Sequence, residues 1–267
     1  MAANGSRRPV LGFMKPLSFL LPLYILLPLL ALPFYINPRA LFEHLTSEMA
    51  LRALWLSLET TLMATFLCVL LGTPIAFVLA RVPFKGREFI DSLIDLPITV
   101  PPVVAGVALL LVFGRRGLLG HYLDVAGIQI PFTTVAVVMA QVFMASPFYV
   151  KAARAGFEAV DANLENVAGT LGASPWRVFW TITVPLARPA LVAGTVLAWA
   201  RSLSEFGATM MFAGNLPGRT QTLTLAVMSA MEADLDTAVS ISVLALVLAF
   251  AALLVAKRLA AMATVTL

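Results

Sequence analysis

This sequence is poor in cysteine, histidine and charge, and each shortage removes a class of function. Cys68 is the only cysteine among 267 residues. No intrachain disulfide can form, and its place inside an apolar run suits small apolar packing better than redox work. The two histidines, His44 and His121, stand far apart, with no HExxH pattern or cysteine cluster to complete a metal site. Serines within the apolar runs have no histidine base in the same layer, which argues against an intramembrane serine protease. G-x-x-x-x-G-K-[ST] is missing from the chain, so it cannot cradle nucleotide phosphates by the P-loop route. The expectation is a non-catalytic protein with no catalytic residue, cofactor or metal of its own. Any ATP-driven work must then come from another polypeptide.

Apolar length is what the chain has in excess. Hydrophobic residues make up 60% and charged residues 12%, with a mean hydropathy of +0.94, far from a soluble composition. Six apolar runs can be drawn at 17–36, 60–80, 93–113, 132–150, 190–212 and 238–256. Each holds roughly 19 to 23 residues, against the ~20 that a spanning helix needs. Connections this short leave no room for a second domain. The expected fold is therefore all-α: one transmembrane domain of six helices over residues 1–267.

The basic residues orient it. Arg7, Arg8, Lys15, Arg81, Lys85, Arg87, Lys151, Arg154, Arg177, Arg188, Lys257 and Arg258 collect on one side. Arg39, Arg52, Arg115, Arg116 and Arg219 fall on the other, and Arg201 lies within the fifth run. This bias places both termini in the cytoplasm, so the net charge of +4 reports topology rather than nucleic-acid binding. Ser6-Arg7-Arg8 imitates a twin-arginine export signal. No small-x-small cleavage site follows and five more runs come after it, so the first run reads as an uncleaved helix. Pro22, Pro28 and Pro33 should loosen that helix and leave it peripheral.

One polar, helix-prone segment, 158–189, lies on the cytoplasmic side, within a loop of about 151–189. Asp161 can cap a helix on which Val160, Leu164, Val167, Ala168 and Leu171 share a face. Gly172 stands where a helix end favours left-handed geometry. Ser174-Pro175 restarts a helix, serine as cap and proline at the first position. Trp176, Phe179 and Trp180 then form a bulky ridge, which Pro185 and Pro189 are expected to interrupt. Composition alone would also fit an amphipathic hairpin lying on the lipid surface.

Three features fall inside the apolar runs. Pro97, Pro101 and Pro102, with Thr99 among them, free backbone carbonyls that survive in a membrane only against protein or a water-filled cavity. They mark either a packing kink or a gate. Arg201 and Glu205 are spaced to pair on one helix face, either as a structural ion pair or as part of a pathway with Ser204 and Thr209 beside them. If pairing is their whole role, exchanging the two charges should preserve it. Gly207, Gly214, Pro217 and Gly218 suggest that the fifth helix ends and turns at the outer face. Asn215, Arg219, Thr220, Gln221 and Thr222 there would either offer donors to an anion or docking protein, or form a solvated turn.

The cytoplasmic segment resembles the EAA loop of ABC importer permeases, with Ala168, Gly172, Ile182 and Pro185 on the characteristic positions. Asn166 stands in place of the motif's glutamate, with Glu165 adjacent; Val184 replaces its leucine and Val167 an alanine. The resemblance implies docking of Glu165, Asn166, Ala168, Gly172, Ala173, Ser174, Trp176, Arg177, Ile182 and Pro185 into a cleft of a separate ATPase. Ala-Arg-Ser-Leu-Ser-Glu-Phe-Gly-Ala-Thr from Ala200 and Ala-Gly-Asn-Leu-Pro-Gly-Arg-Thr-Gln-Thr-Leu ending at Leu223 resemble the permeases of molybdate importers, with Ser204 in place of the common glycine. Leu-Pro-Ile-Thr-Val-Pro-Pro-Val-Val and Phe113-Gly-Arg-Arg-Gly-Leu-Leu-Gly match the same group, so the likeness runs from about Leu58 to Leu254. Sulfate and thiosulfate permeases share a related fifth-helix pattern.

What the resemblance implies is a type I importer permease in a bacterial or archaeal cytoplasmic membrane, importing molybdate or tungstate. The partners would be a second permease copy, two ATPase subunits carrying ATP and Mg, and an extracytoplasmic oxyanion-binding protein. An ion-coupled secondary transporter would instead show paired discontinuous helices in repeated halves, and no convincing internal repeat is visible. A non-transporting scaffold or sensor would need neither the proline-rich run nor the loop.

Overall fold

The computed structural model describes residues 7–265, with side-chain surroundings for 17–255, 257 and 258. Ser6 lies outside the described residues, and only the backbone of Arg7, Arg8 and Lys15 is described. Every regular element among the described residues is helical. Helix α1 (Arg7–Tyr35) is followed by α2 (Pro38–Leu45) and the long α3 (Glu48–Arg81). Asn37 and Ser47 start α2 and α3 by accepting backbone N–H groups of Arg39 and Ala50, as short polar side chains do at helix N-termini. Next come α4 (Arg87–Thr99), α5 (Pro102–Phe113), the short α6 (Gly120–Val125), and α7 (Thr134–Ala159), which Thr133 caps. The cytoplasmic-type loop contributes α8 (Ala162–Thr170) and α9 (Pro175–Val178). A π turn at Phe179–Thr183 then leads into α10 (Val184–Leu203), and α11 (Gly207–Ala213), α12 (Leu223–Ala233) and α13 (Leu235–Val265) complete the chain.

Five helices are long and apolar enough to cross a membrane, and six spans result if α4 and α5 count as one. The disturbance expected from the prolines of the third run is a sharp break, and two expectations change. The third run is not a straight span: α4 and α5 meet at 115°. Consecutive Pro101 and Pro102 lack amide donors, and the residue before proline is pushed to extended geometry, as Val100 is at φ −74°, ψ 130°. The fifth run also breaks, since α10 stops at Leu203 and α11 starts afresh at Gly207. Conversely, Pro185 and Pro189 interrupt nothing, because Pro175–Leu203 runs as one 29-residue helical span. The π turn absorbs Pro185, with the Val184 N–H reaching back to the Phe179 carbonyl, and its wider loop relieves the register that proline disturbs. Helix α1 continues through its prolines. From Leu17 onward it leans on α13 and exposes most of its apolar length.

The core is three-helical. Helices α3, α7 and α10 pack through Cys68, Ala76, Ala145, Tyr149, Ala153 and Ala198. Lipid gives no hydrophobic drive between helices, so small side chains that let backbones approach take over that task. Cys68 is part of this packing, buried beside α7. Cross-links add polar specificity: the Gln141 amide donates to Thr60 Oγ1 at 3.2 Å, and the Trp199 indole N–H donates to Thr61 Oγ1 at 3.1 Å. Helix α4 is tied to α7 by charges, Lys151 with Asp95 at 2.8 Å, Arg154 with Asp91, and Arg87 with Glu158 at 3.0 Å.

The crossing of α5 and α11 is the tightest packing constraint near the two breaks. A Cβ on Gly106 would lie 2.6 Å from the Ala208 carbonyl oxygen and 2.8 Å from Met211 Cβ. We predict that Gly106→Val destabilises the purified protein by about 1–3 kcal/mol, the usual cost of overpacking, read as a lower unfolding midpoint in detergent. Gly169→Ala, where a Cβ would meet nothing within 4 Å, should leave that midpoint nearly unchanged. Equal midpoints for the two variants would show that the α5–α11 contact is loose.

Candidate functional site

The docking-loop candidates form a folded unit. Asp161 Oδ1 accepts the Asn163 N–H at 2.9 Å and starts α8. At its end Gly172 takes φ +86°. Its N–H donates to the Gly169 carbonyl and that of Ala173 to the Ala168 carbonyl, both at 3.0 Å. This paired pattern satisfies the last carbonyls of a helix through one left-handed residue. Ser174 Oγ then accepts the Arg177 N–H at 3.3 Å, and Pro175 opens α9.

Glu165 was expected to face a partner, and it is turned inward instead. Its Oε1 lies 3.0 Å from Arg81 Nη2 and accepts the Thr183 hydroxyl at 2.7 Å, while the same Arg81 nitrogen donates to the Val160 carbonyl at 2.9 Å. The pair is about four-fifths buried, so the carboxylate clamps the loop to the end of α3. Asn166 remains exposed, and with Gly169, Ala173 and Pro175 it borders a cleft of about 250 Å³ whose walls include Phe77 and Phe179. Ala168 and Ile182 are half-buried, and Arg177 and Pro185 are exposed. The outward face is apolar: Leu171 is 82% exposed, Trp176 71% and Val167 57%. Phe179 stacks on Trp176 and meets Phe77 edge to face, at ring separations of 6.1 and 5.0 Å, which connects this ridge to the core.

At the other end of α10 the candidate path residues converge. Gly207, the first residue of α11, packs on the start of α5: a Cβ there would sit 2.9 Å from Pro102 Cβ and 3.1 Å from the Val103 nitrogen. The two helix breaks therefore touch. Glu205 lies in the second break with its side chain fully buried, 2.8 Å from Arg201 Nη2. The pair forms across the end of α10 rather than within a helix, because Ser204 already caps α10. Glu205 Oε1 also accepts the Ala208 N–H at 2.8 Å, and its carbonyl accepts the Thr224 hydroxyl at 2.8 Å. Pro97 is buried, Pro101 and Thr99 are exposed, and Ser204 is exposed with its hydroxyl donating to the Arg201 carbonyl. Among the described residues the buried hydroxyls of Ser202 and Thr209 have no hydrogen-bond partner.

The outer-loop donors are mostly committed internally, which corrects the expectation of a solvated turn. Thr220, Gln221 and Thr222 are buried. Thr220 Oγ1 accepts the Leu216 N–H, Asn215 donates to Ser229, Gln221 donates to Asn215, and Thr222 pairs with Thr224. Arg219 alone keeps its side chain exposed. Two supporting residues escaped the sequence reading. Ser57 caps α12 by accepting the Leu223 N–H at 2.8 Å, and Arg81, a topology charge in the sequence, is the partner of Glu165.

The profile of the family described as binding-protein-dependent transport system inner membrane component matches residues 72–262. The molybdenum transport system permease protein ModB of Mycobacterium tuberculosis is 48% identical over 205 residues, 77% of this chain and 78% of that one. The chain belongs to this family of transport permeases. ModB of Escherichia coli is 41% identical over 212 residues, covering 78% of this chain and 93% of its own. A crystal structure of a bacterial ABC transporter involved in the import of the acidic polysaccharide alginate superposes with a TM-score of 0.77 at 16% identity, covering 96% of each chain. The fold of this permease is that of a type I ABC importer subunit.

The double duty of Glu205 changes what a charge exchange should do in the permease. Glu205→Gln keeps an acceptor for the Ala208 N–H but leaves Arg201 without its partner. An arginine at 205 offers no acceptor at all. We predict that the exchange of Arg201 and Glu205 fails to restore assembly, whereas Glu205→Gln combined with Arg201→Gln assembles better than either single variant. The losses should reach several kcal/mol for a stranded buried charge, read as detergent-stable yield. Full recovery by the exchange would show that the cap on α11 is dispensable.

Proposed function

We propose that this chain is the permease subunit of an ATP-driven importer of molybdate or tungstate, acting by alternating access as one transmembrane domain. The observation that carries this reading is the high identity with molybdenum permeases across about three quarters of the chain; the family match over residues 72–262 takes in both broken helices and the cytoplasmic loop. The assembly is a permease homodimer with two ATPase subunits below and an extracytoplasmic oxyanion-binding protein above. ATP and Mg belong to the ATPase. Both termini face the cytoplasm, an orientation supported by the distribution of basic residues.

The geometry supports a mechanical route. Helix α9, the π turn and α10 form one span from the docking ridge to Arg201, about 43 Å long at ~1.5 Å per residue. Closure of the ATPase dimer pushes on α8 and α9. The Arg81–Glu165 clamp and the Phe179 ring contacts pass the motion to α3 and α10, whose far end bears on the Pro102–Gly207 junction. Coupling through two-state helix contacts of this kind is how small displacements become gate movements. An ion-coupled secondary transporter has no need of such a loop.

The docking arm of this proposal rests on Gly172. A Cβ there would meet nothing of this chain within 4 Å, so within the permease Gly172→Val strains only the backbone, at a cost of roughly 1 kcal/mol or more. Uptake should collapse with normal membrane insertion and weakened or uncoupled ATPase. Gly172→Asn, which tolerates the left-handed region, should retain most uptake. Normal uptake by the valine variant would remove the docking role. Substrate choice is tested by reconstitution with the cognate ATPase and binding protein: molybdate and tungstate should compete with each other and sulfate only weakly. Preferential sulfate uptake would make the chain a sulfate-type permease.

A further inference from the structure

A cavity lies at the end of the bundle opposite the docking loop, beside the start of α7. Its volume is about 690 Å³, and Arg115, Arg116 and Arg219 all line it, with Asp124 as the single acidic residue. The two arginine-bearing segments are about a hundred residues apart in sequence and are held in place by backbone. Gly120 packs onto the Gly114 carbonyl so closely that any Cβ would collide with it at 1.6 Å, and the Gly117 N–H bonds the Gly114 carbonyl. This closes the turn that carries Arg115 and Arg116. Arg219 is positioned by its own carbonyl, which accepts the Thr134 hydroxyl at 3.0 Å. Phe132, on the cavity wall, adopts φ 62°, an unfavourable conformation for a non-glycine residue. Its N–H meets the Phe212 carbonyl at 3.4 Å.

None of the three guanidinium groups enters an ion pair among the described residues. Asp124 is engaged by the Gln129 amide at 3.5 Å. Three cations against one carboxylate leave an excess of two positive charges in a concave, partly apolar mouth, which matches a tetrahedral dianion. Guanidinium forks suit oxyanion edges. We propose that this cavity is a receiving site for the tetrahedral oxyanion, held by Arg115, Arg116 and Arg219 between its release from the binding protein and its passage to the junction of the broken helices. The proposal rests on the oxyanion-import reading and adds to it a site on the permease itself.

The test uses the permease–ATPase complex, purified without binding protein and dialysed to equilibrium against labelled molybdate at low ionic strength. The wild type should take up molybdate in competition with tungstate and sulfate, and added salt should weaken binding. Each of Arg115→Gln, Arg116→Gln and Arg219→Gln should weaken it about tenfold, the loss of one charge-assisted hydrogen bond. Arg219→Lys should weaken it less. Each variant is compared at equal yield of assembled complex, and because the substitutions fall on two separate loops, a local folding defect cannot imitate all three losses. Binding unchanged in all three variants would overturn the proposal. It would also be overturned if the variants lost capture of the binding protein while molybdate dialysis stayed the same, since the cations would then serve an acidic protein surface. The import reading fails by a different result: no uptake of molybdate, tungstate or sulfate by the wild-type complex with its binding protein.

Discussion

Two interrupted helices meeting at Pro102 and Gly207 set the terms for the rest of this fold. Backbone that leaves a helix inside an apolar layer exposes N–H and C=O groups, and each costs several kcal/mol unless protein satisfies it. Glu205 supplies that satisfaction at the second break. One carboxylate oxygen holds the Ala208 amide in the first turn of α11, the other faces Arg201, and the backbone carbonyl is taken by Thr224. The first break needs less, since prolines at 101 and 102 bring no N–H to satisfy. The absence of a side chain on Gly207 lets the two breaks lie against each other, so the interruptions share one protected region.

The remainder of the bundle keeps that region positioned. Small residues along α3, α7 and α10 hold these helices at close range, and hydrogen bonds from Gln141 and Trp199 fix their register where apolar packing alone would permit sliding. Interhelical hydrogen bonds in membranes contribute only about 0.6 kcal/mol each, so their value here is directional. At the opposite end, Arg81 and Glu165 fasten the glycine-linked helices to α3. The loop is anchored at its root by the buried clamp and apolar at its tip, where Leu171 and Trp176 are exposed.

Local chemistry was the part of the structure most legible in the sequence. Asp161, Gly172 and Ser174 act within a few residues of themselves, so caps and the left-handed helix end follow from residue type and spacing. The break at 204–206 was hidden because the run stays apolar on both sides and Arg201 and Glu205 have the same spacing as a pair within one helix. The fate of Thr220, Gln221 and Thr222 was hidden for the opposite reason: polar residues beside glycines look solvated, and only the approach of α12 and the Gly214 turn buries them. That Glu165 turns inward and Asn166 outward was hidden because which of two adjacent polar residues is buried depends on Arg81, more than eighty positions away. The 115° bend was half visible, as prolines announce a disturbance but not its angle.

The charges of the permease differ in how free they are, and that difference has a consequence for an anion moving along it. Arg201 is compensated by a fully buried carboxylate, so the junction of the broken helices presents little net field. Arg115, Arg116 and Arg219 are uncompensated at one mouth, while the charges joining α4 to α7 near the other end are paired. A strong uncompensated cation at mid-depth would hold a dianion in low dielectric, where Coulomb attraction is several-fold larger than in water. Such a trap would slow the passage that alternating access requires. Placing the free cations where solvent still screens them, and neutralising Arg201 at the junction, would let attraction gather the anion without retaining it. Glu205 thus cancels the Arg201 charge as well as closing a backbone gap, and both fall on one carboxylate because the break and the arginine lie within about one turn of each other.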